Sequence, residues 1–574
     1  MPTDIFEEQP PDAKPTKKIK WYWHVLGFLL MIWVLGGLRV LCFQDIPLLV
    51  FLVCVHVLMS LSVSQWLGFS LKSWSGMFFQ FFWTLGVIVW ILLLLFFVIP
   101  PFAISPETTY LTEPRSKDFY GIDYQAAIEQ QLDPGVPPEE NGFRLLTETL
   151  GRPLYNDMVG NKFEDQHWNR LCEYLNLPTD IEPTLPYIDW EKYRKTLEPE
   201  EQEIVNAMHR ESEHILLSEE AMPIVQRWID ENAPALELFI AAIQMPVLYV
   251  PSMFGANLKE AVPVNDDISR SMARSLGVRV RYRLATGDIE SAWNDVLAMY
   301  RLGEQHRRTV WNVISVLLNT AIVNRANRSA ESVLLHSDWD SEEILQRYEK
   351  IAPFLQPLRE DKIRFVLRNR RLEVLDDLQF FPFSKEEMSA ANWQDWWKKK
   401  NAYAFFRRGY AMVEANLIFD KQEQWFFDVL PVKEWEIEIR RTDDVFKLTA
   451  WYGPLVGPPV VISQLLSTLI TSTDEWLKVL PSSRQANILL TPLVFALEAY
   501  RRDKGGYPDE LDALREDYIA EIPLDPFSGE AFRYVKEGEN YLLYSVGPNG
   551  IDEEGRDNND VPKGDDIRRG ELPQ

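Results

Sequence analysis

WYWHVLGFLLMIWVLGGLRVLCF, Trp21 to Phe43, opens an almost uncharged stretch that divides a short polar tail from a long charged region. It supplies the roughly 20 apolar residues a helix needs to cross the hydrocarbon layer. IPLLVFLVCVHVLMSLSVSQWLGF, Ile46 to Phe69, reads as a second span, and FFQFFWTLGVIVWILLLLFFVI, Phe78 to Ile99, as a third, stopped by Pro100 and Pro101. Lys14, Lys17, Lys18 and Lys20 precede the first span and Lys72 separates the second from the third, whereas Asp45 lies in the intervening turn. The positive-inside bias then puts the amino terminus in the cytoplasm and everything after Phe102 on the far side.

Working outward, residues 1–20 contain Pro10, Pro11 and Pro15 and are expected to be a disordered cytoplasmic tail. Residues 21–102 are the three-span anchor. Residues 103–197 read as a connector with short helices, among them GIDYQAAIEQQL, EENGFRLLTETLG and NKFEDQHWNRLCEYLNLP. Asp133-Pro134-Gly135 marks a turn between the first two.

Residues 198–480 carry longer helical patterns. From Gly287, residues Ile289, Ala292, Trp293, Val296, Leu297 and Tyr300 recur at helical spacing behind Asp288, a plausible cap. An irregular array of helical hairpins is expected, without a faithful 34-residue tetratricopeptide period. ANWQDWWKKKNAYAFFRRGYAMVEANLIF, Ala391 to Phe419, interleaves aromatic and basic residues. Its part from Trp393 to Arg408 is either a core helix or a contact surface for an envelope protein or a glycan. Trp451 to Ile470, broken by Pro454, Pro458 and Pro459, reads as a buried or interfacial helix.

Residues 481–574 form the last expected domain. TPLVFALEAYRR is amphipathic and stopped by GGYP, and AFRYV and NYLLYSV are β-rich runs joined by KEGE, so a helix covered by a hairpin is expected.

Charge and motifs narrow the function classes. The chain has 59 basic and 85 acidic residues, a net charge of −26. Such a surface repels nucleic acid, which is excluded as a principal partner. Neither GxGxxG nor GxxxxGK[ST] occurs. His209 and His214 stand in MHRESEH, five apart, which turns them away from each other on a helix and is not the HExxH metal spacing. Cys172 sits among helical apolar neighbours and reads as core.

The run from Leu490 to Ile567 resembles the carboxy-terminal domain of the major pseudopilin of type II secretion systems. The likeness is carried by Ala496-Leu497-Glu498-Ala499-Tyr500, Gly506-Tyr507-Pro508, Asp525-Pro526-Phe527, Phe532-Arg533-Tyr534, and Leu543-Tyr544-Ser545 with Gly547 and Gly550. The resemblance implies a small α+β pilin-like fold and a last loop closed around a structural calcium ion. Asp565 and Asp566 match the family's terminal acidic element, and Asn549 stands where the family has Asp. Asp552, Asp557 and Asp560 are further oxygen donors suited to a hard cation. A pseudopilin's leader and single long helix have no counterpart, so a grafted fold is expected rather than a polymerising subunit. Gly287, Asp288, Ala292 and Trp293 also resemble a GDxxxAW helix of uncharacterised planctomycete-type membrane proteins.

The fold class expected is a multi-pass membrane anchor, a mostly α-helical soluble region and a small carboxy-terminal α+β domain. The corresponding function is a non-catalytic scaffold or binding protein of the bacterial envelope, in the inner membrane with its large region extracytoplasmic. An envelope hydrolase with an acidic or histidine-containing cleft, and an accessory component of a secretion apparatus, are the alternatives.

Overall fold

A computed structural model describes residues 104–116, 121–159, 163–210, 216–251, 258, 264–380, 412–413, 415–417, 419–420, 476–557, 560 and 562–570. The described residues all belong to one compact unit. The first helices are α1 (Tyr124–Leu132), α2 (Gly142–Val159), α3 (Asp165–Tyr174), α4 (Trp190–Thr196), α5 (Pro199–Arg210) and α6 (Met222–Gln244). There follow α7 (Val264–Ala285), α8 (Ile289–Thr309), α9 (Val313–His336), α10 (Ser341–Ile351), α11 (Glu360–Phe380) and α12 (Trp476–Lys504). Strands β1 (Arg533–Glu537), β2 (Asn540–Ser545) and β3 (Ile567–Arg569) form an antiparallel sheet in that order.

Local chemistry places the helix starts. Asp288 accepts a hydrogen bond from the Ser291 amide at 3.3 Å, so α8 begins where the sequence put its cap. Asn312 with Ser315, and Asp340 with Glu343, close reciprocal capping boxes on α9 and α10. The carboxy-terminal end of α9 is held by Arg502 of α12, which donates to the Leu334 and Ser337 carbonyls at 3.0 and 2.7 Å.

The helical body and the sheet share one core. Trp293 of α8 meets Trp339 edge-on at 5.7 Å and Phe495 of α12 at 6.2 Å. The same cluster of buried side chains runs on to Phe532, Tyr541 and Leu543 of the sheet region. Within it lies an ionic knot: Arg279 of α7 clasps Asp295 of α8 through Nε at 2.9 Å and Nη2 at 2.5 Å. Arg283 approaches the same carboxylate at 2.7 Å, and Glu237 of α6 takes the remaining Arg279 nitrogen at 2.6 Å. Burial still raises the Asp295 pKa, against the pull of both guanidiniums.

The hairpin expected from AFRYV and NYLLYSV is present, with Glu537 opposite Asn540 across a two-residue loop. Gly538 takes a φ of 61° there, the left-handed conformation such a turn needs. The third strand is tied to the helices: Arg569 donates to Asn487 of α12 at 2.6 Å and pairs with Glu331 of α9 at 2.8 Å.

Among the described residues no helix is long and apolar enough to cross a membrane, and the fold class is corrected on that finding. The described chain is mostly helical with a small antiparallel sheet, not a multi-pass anchor bearing such a region. Its long helices carry charge within their length, as Arg325, Arg328 and Glu331 do in α9, and charged side chains are costly at a bilayer centre. The lipid bilayer as a partner of residues 21–102 and the inner-membrane location with a cytoplasmic amino terminus are corrected on the same finding, since among the described residues no helix carries them. The spans themselves, residues 1–20, the Trp393–Arg408 segment, Trp451–Ile470 and His214 lie outside the described residues.

Candidate metal centre

The last loop leaves β2 at Ser545 and returns as β3, and pairing of Ser545 with Ile567 fixes both ends. That register sets Asp565 and Asp566 immediately before the returning strand. Gly547 adopts a φ of 67°, and a Cβ there would lie 2.6 Å from Asp565 Oδ1. The backbone therefore approaches the carboxylate more closely than any side chain would permit.

Glu553, Asp565 and Asp566 converge here, with one carboxylate oxygen from each lying within 4.8 Å of the others. Asp566 Oδ2 accepts from the Glu553 and Gly555 amides at 3.1 and 2.8 Å. Asp565 Oδ2 accepts from the Asn549 amide at 3.2 Å. The other oxygen of each aspartate, Oδ1 in both, is buried without a hydrogen-bond partner. Asp566 is only 3% exposed. Burial, reinforced by the Glu553 charge, pushes its carboxyl up to about 7, and the same two causes raise Asp565.

Of the six positions singled out in the sequence, this cluster contains Asp565 and Asp566. Asn549 borders it, its side-chain nitrogen donating to Glu553 Oε1 at 2.6 Å and its Oδ1 accepting from the Ile551 amide at 2.6 Å. The other three are engaged elsewhere. Asp552 accepts from the Tyr544 hydroxyl at 3.0 Å and faces Arg533 at 3.4 Å. Asp557 and Asp560 flank Arg568, at 3.6 and 2.9 Å. Glu553 was not singled out from the sequence; it is one of three consecutive acidic residues in IDEEG, and nothing in their order distinguishes the one that turns inward.

Two buried, partnerless carboxylate oxygens beside a third carboxylate form a donor set that fits a hard cation. Such an ion takes oxygens at about 2.3–2.6 Å, and donors on one ion lie within about twice that distance of each other. Here the cation would supply the countercharge that no basic side chain at these two oxygens provides.

Elsewhere the chemistry-bearing side chains hold structure. His167 Nδ1 accepts from the Glu164 amide at 3.0 Å within the α3 capping box, and His336 Nδ1 lies 2.8 Å from the Ser332 carbonyl. His306 and Asp266 pair at 2.8 Å in the interior. Cys172 is buried, and that burial pushes its thiol up to about 11. A thiol so raised is protonated at neutral pH and unsuited to nucleophilic attack.

No protein-family model, curated protein or solved structure matches the chain. The pseudopilin assignment consequently has no support from kinship, and a cation at the last loop stands on geometry alone.

Proposed function

We propose that the chain is a non-catalytic binding scaffold whose last loop is ordered by a calcium-type cation held by Glu553, Asp565 and Asp566. The observation that carries this reading is the pair of buried Oδ1 atoms, on Asp565 and Asp566, with no partner inside a three-carboxylate cluster. A bound divalent ion satisfies both atoms and neutralises the repulsion that otherwise holds a proton on Asp566. Cation binding then stabilises the junction between β2 and β3, and through Arg569 the attachment of the sheet to α9 and α12.

Calcium added to the chelator-treated full chain is expected to bind saturably by calorimetry and to raise the melting temperature. Asp566→Asn and Glu553→Gln should each abolish both signals while preserving the circular-dichroism spectrum. The absence of both heat and a melting shift in a folded wild-type chain would overturn the proposal.

A pH dependence follows from the same site. The folded-state pKa of Asp566 is raised to about 7 from its ordinary 3.8. Its protonated form therefore favours the folded state, a contribution complete below pH 4 and lost as pH rises through 7. In chelator, melting between pH 4 and 8 should decline more steeply for the wild type than for Asp566→Asn, and saturating calcium should flatten the wild-type decline. Equal slopes for the two proteins in chelator would remove Asp566 as the titrating group.

A further inference from the structure

A second site, independent of the cation loop, lies between α1, α3 and the segment after α6. There a cleft of about 440 Å³ is lined by Glu129, Asp133, Arg170, Glu173, Tyr174 and Tyr249. Tyr249 is held in place through its backbone: its amide donates to Asn141 Oδ1 at 3.3 Å and its carbonyl accepts from Asn141 Nδ2 at 2.6 Å. Its ring meets Tyr174 edge-on at 5.9 Å. The residue is 1% exposed, yet its hydroxyl has no hydrogen-bond partner. Buried hydroxyls are ordinarily satisfied, so an orphan on a residue that lines a cleft, among the charged groups of Glu129, Asp133 and Arg170, points to a missing ligand atom. Burial, with the carboxylates opposite, raises the Tyr249 pKa and keeps the phenol neutral, able to accept as well as donate.

The charge of the lining sets the class of that ligand. Arg170 is engaged by Glu129, which leaves the carboxylates of Asp133 and Glu173 as the uncompensated charge facing the cleft. Asp133 is oriented by the Gly135 amide at 3.0 Å and the Tyr174 hydroxyl at 3.3 Å. Two carboxylates beside the half-buried Tyr174 ring suit a cationic head on a short aliphatic stem, the head drawn by the acids and the stem resting on the ring. We propose that this cleft binds a small organic cation, an alkylammonium or alkylguanidinium group, with the Tyr249 hydroxyl accepting one of its N–H bonds. A free diamine and an arginine side chain of a peptide share that chemistry.

Calorimetry on the full chain with putrescine, the tripeptide Gly-Arg-Gly and glucose tests the assignment. Saturable binding of either cation is expected, weakened about tenfold by Asp133→Asn and about fivefold by Tyr249→Phe, with melting curves unchanged. The tighter of the two cations identifies the source, diamine or peptide. Binding of neither cation to the folded chain, glucose binding as tightly as the cations, or cation affinities untouched by both substitutions would each overturn the proposal.

Discussion

Replacing Asp295 by alanine is expected to destabilise the chain by about 3–5 kcal/mol, read as a lower denaturant midpoint with an unchanged m-value. The reason is the state in which the substitution leaves Arg279. That guanidinium is 3% exposed and spends two of its nitrogens on a carboxylate that is itself 1% exposed. Without the carboxylate, a cation always protonated at neutral pH stays in the core with only the exposed Glu237 as countercharge, and Arg283 loses its shorter ion pair. The pair itself need not be a large net stabiliser, because desolvation opposes the Coulomb attraction. Arg279→Met combined with Asp295→Leu should therefore recover most of what Asp295→Ala loses. A double variant no more stable than Asp295→Ala would show that the knot does more than remove an unpaired charge.

The second large effect is expected at Trp293→Ala, with a loss of about 3–5 kcal/mol. Trp293 is 2% exposed and packs against Trp339 and Phe495, and the guanidinium of Arg347 lies 3.8 Å from the centre of the Trp339 ring. Removing the indole opens a cavity where the helical body and α12 meet. Because α12 also carries Asn487, the partner of Arg569, the loss should reach the sheet. Amide exchange should show protection falling together in α8 and β2. Loss of protection in α8 with β2 unchanged would mean that the two parts open separately.

What the sequence disclosed depended on how local each interaction was. The start of α8 was legible because a cap and a 3.6-residue stripe lie within one short segment, and the β1–β2 hairpin because its turn residues stand between two alternating runs. β3 was not legible: three residues make too short a strand to announce themselves without the partner that organises them. The boundary read at 480 falls inside α12, which runs from Trp476 to Lys504 through both Pro481 and Pro492. The Arg279–Asp295 knot was invisible for a different reason. Charges on helices default to the solvated face, and only the packing of α7 against α8 turns these two inward. At the cation loop the sequence supplied the terminal pair Asp565 and Asp566, whereas choosing Glu553 over Asp552, Asp557 and Asp560 required the loop path and the competing arginines.

The shared core also has a consequence for synthesis. Trp293 emerges from the ribosome about two hundred residues before Phe495, its partner on α12, and at ordinary elongation rates of 5–20 residues per second that interval is roughly 10–40 s. During this time α8 has a finished cap and a finished ion pair with α7, but one wall of its aromatic pocket has not been made. The nascent chain therefore passes through a stage in which local helices are complete and a tryptophan-lined face is open. That face is one a holdase chaperone would recognise, and α12 is the element that closes it.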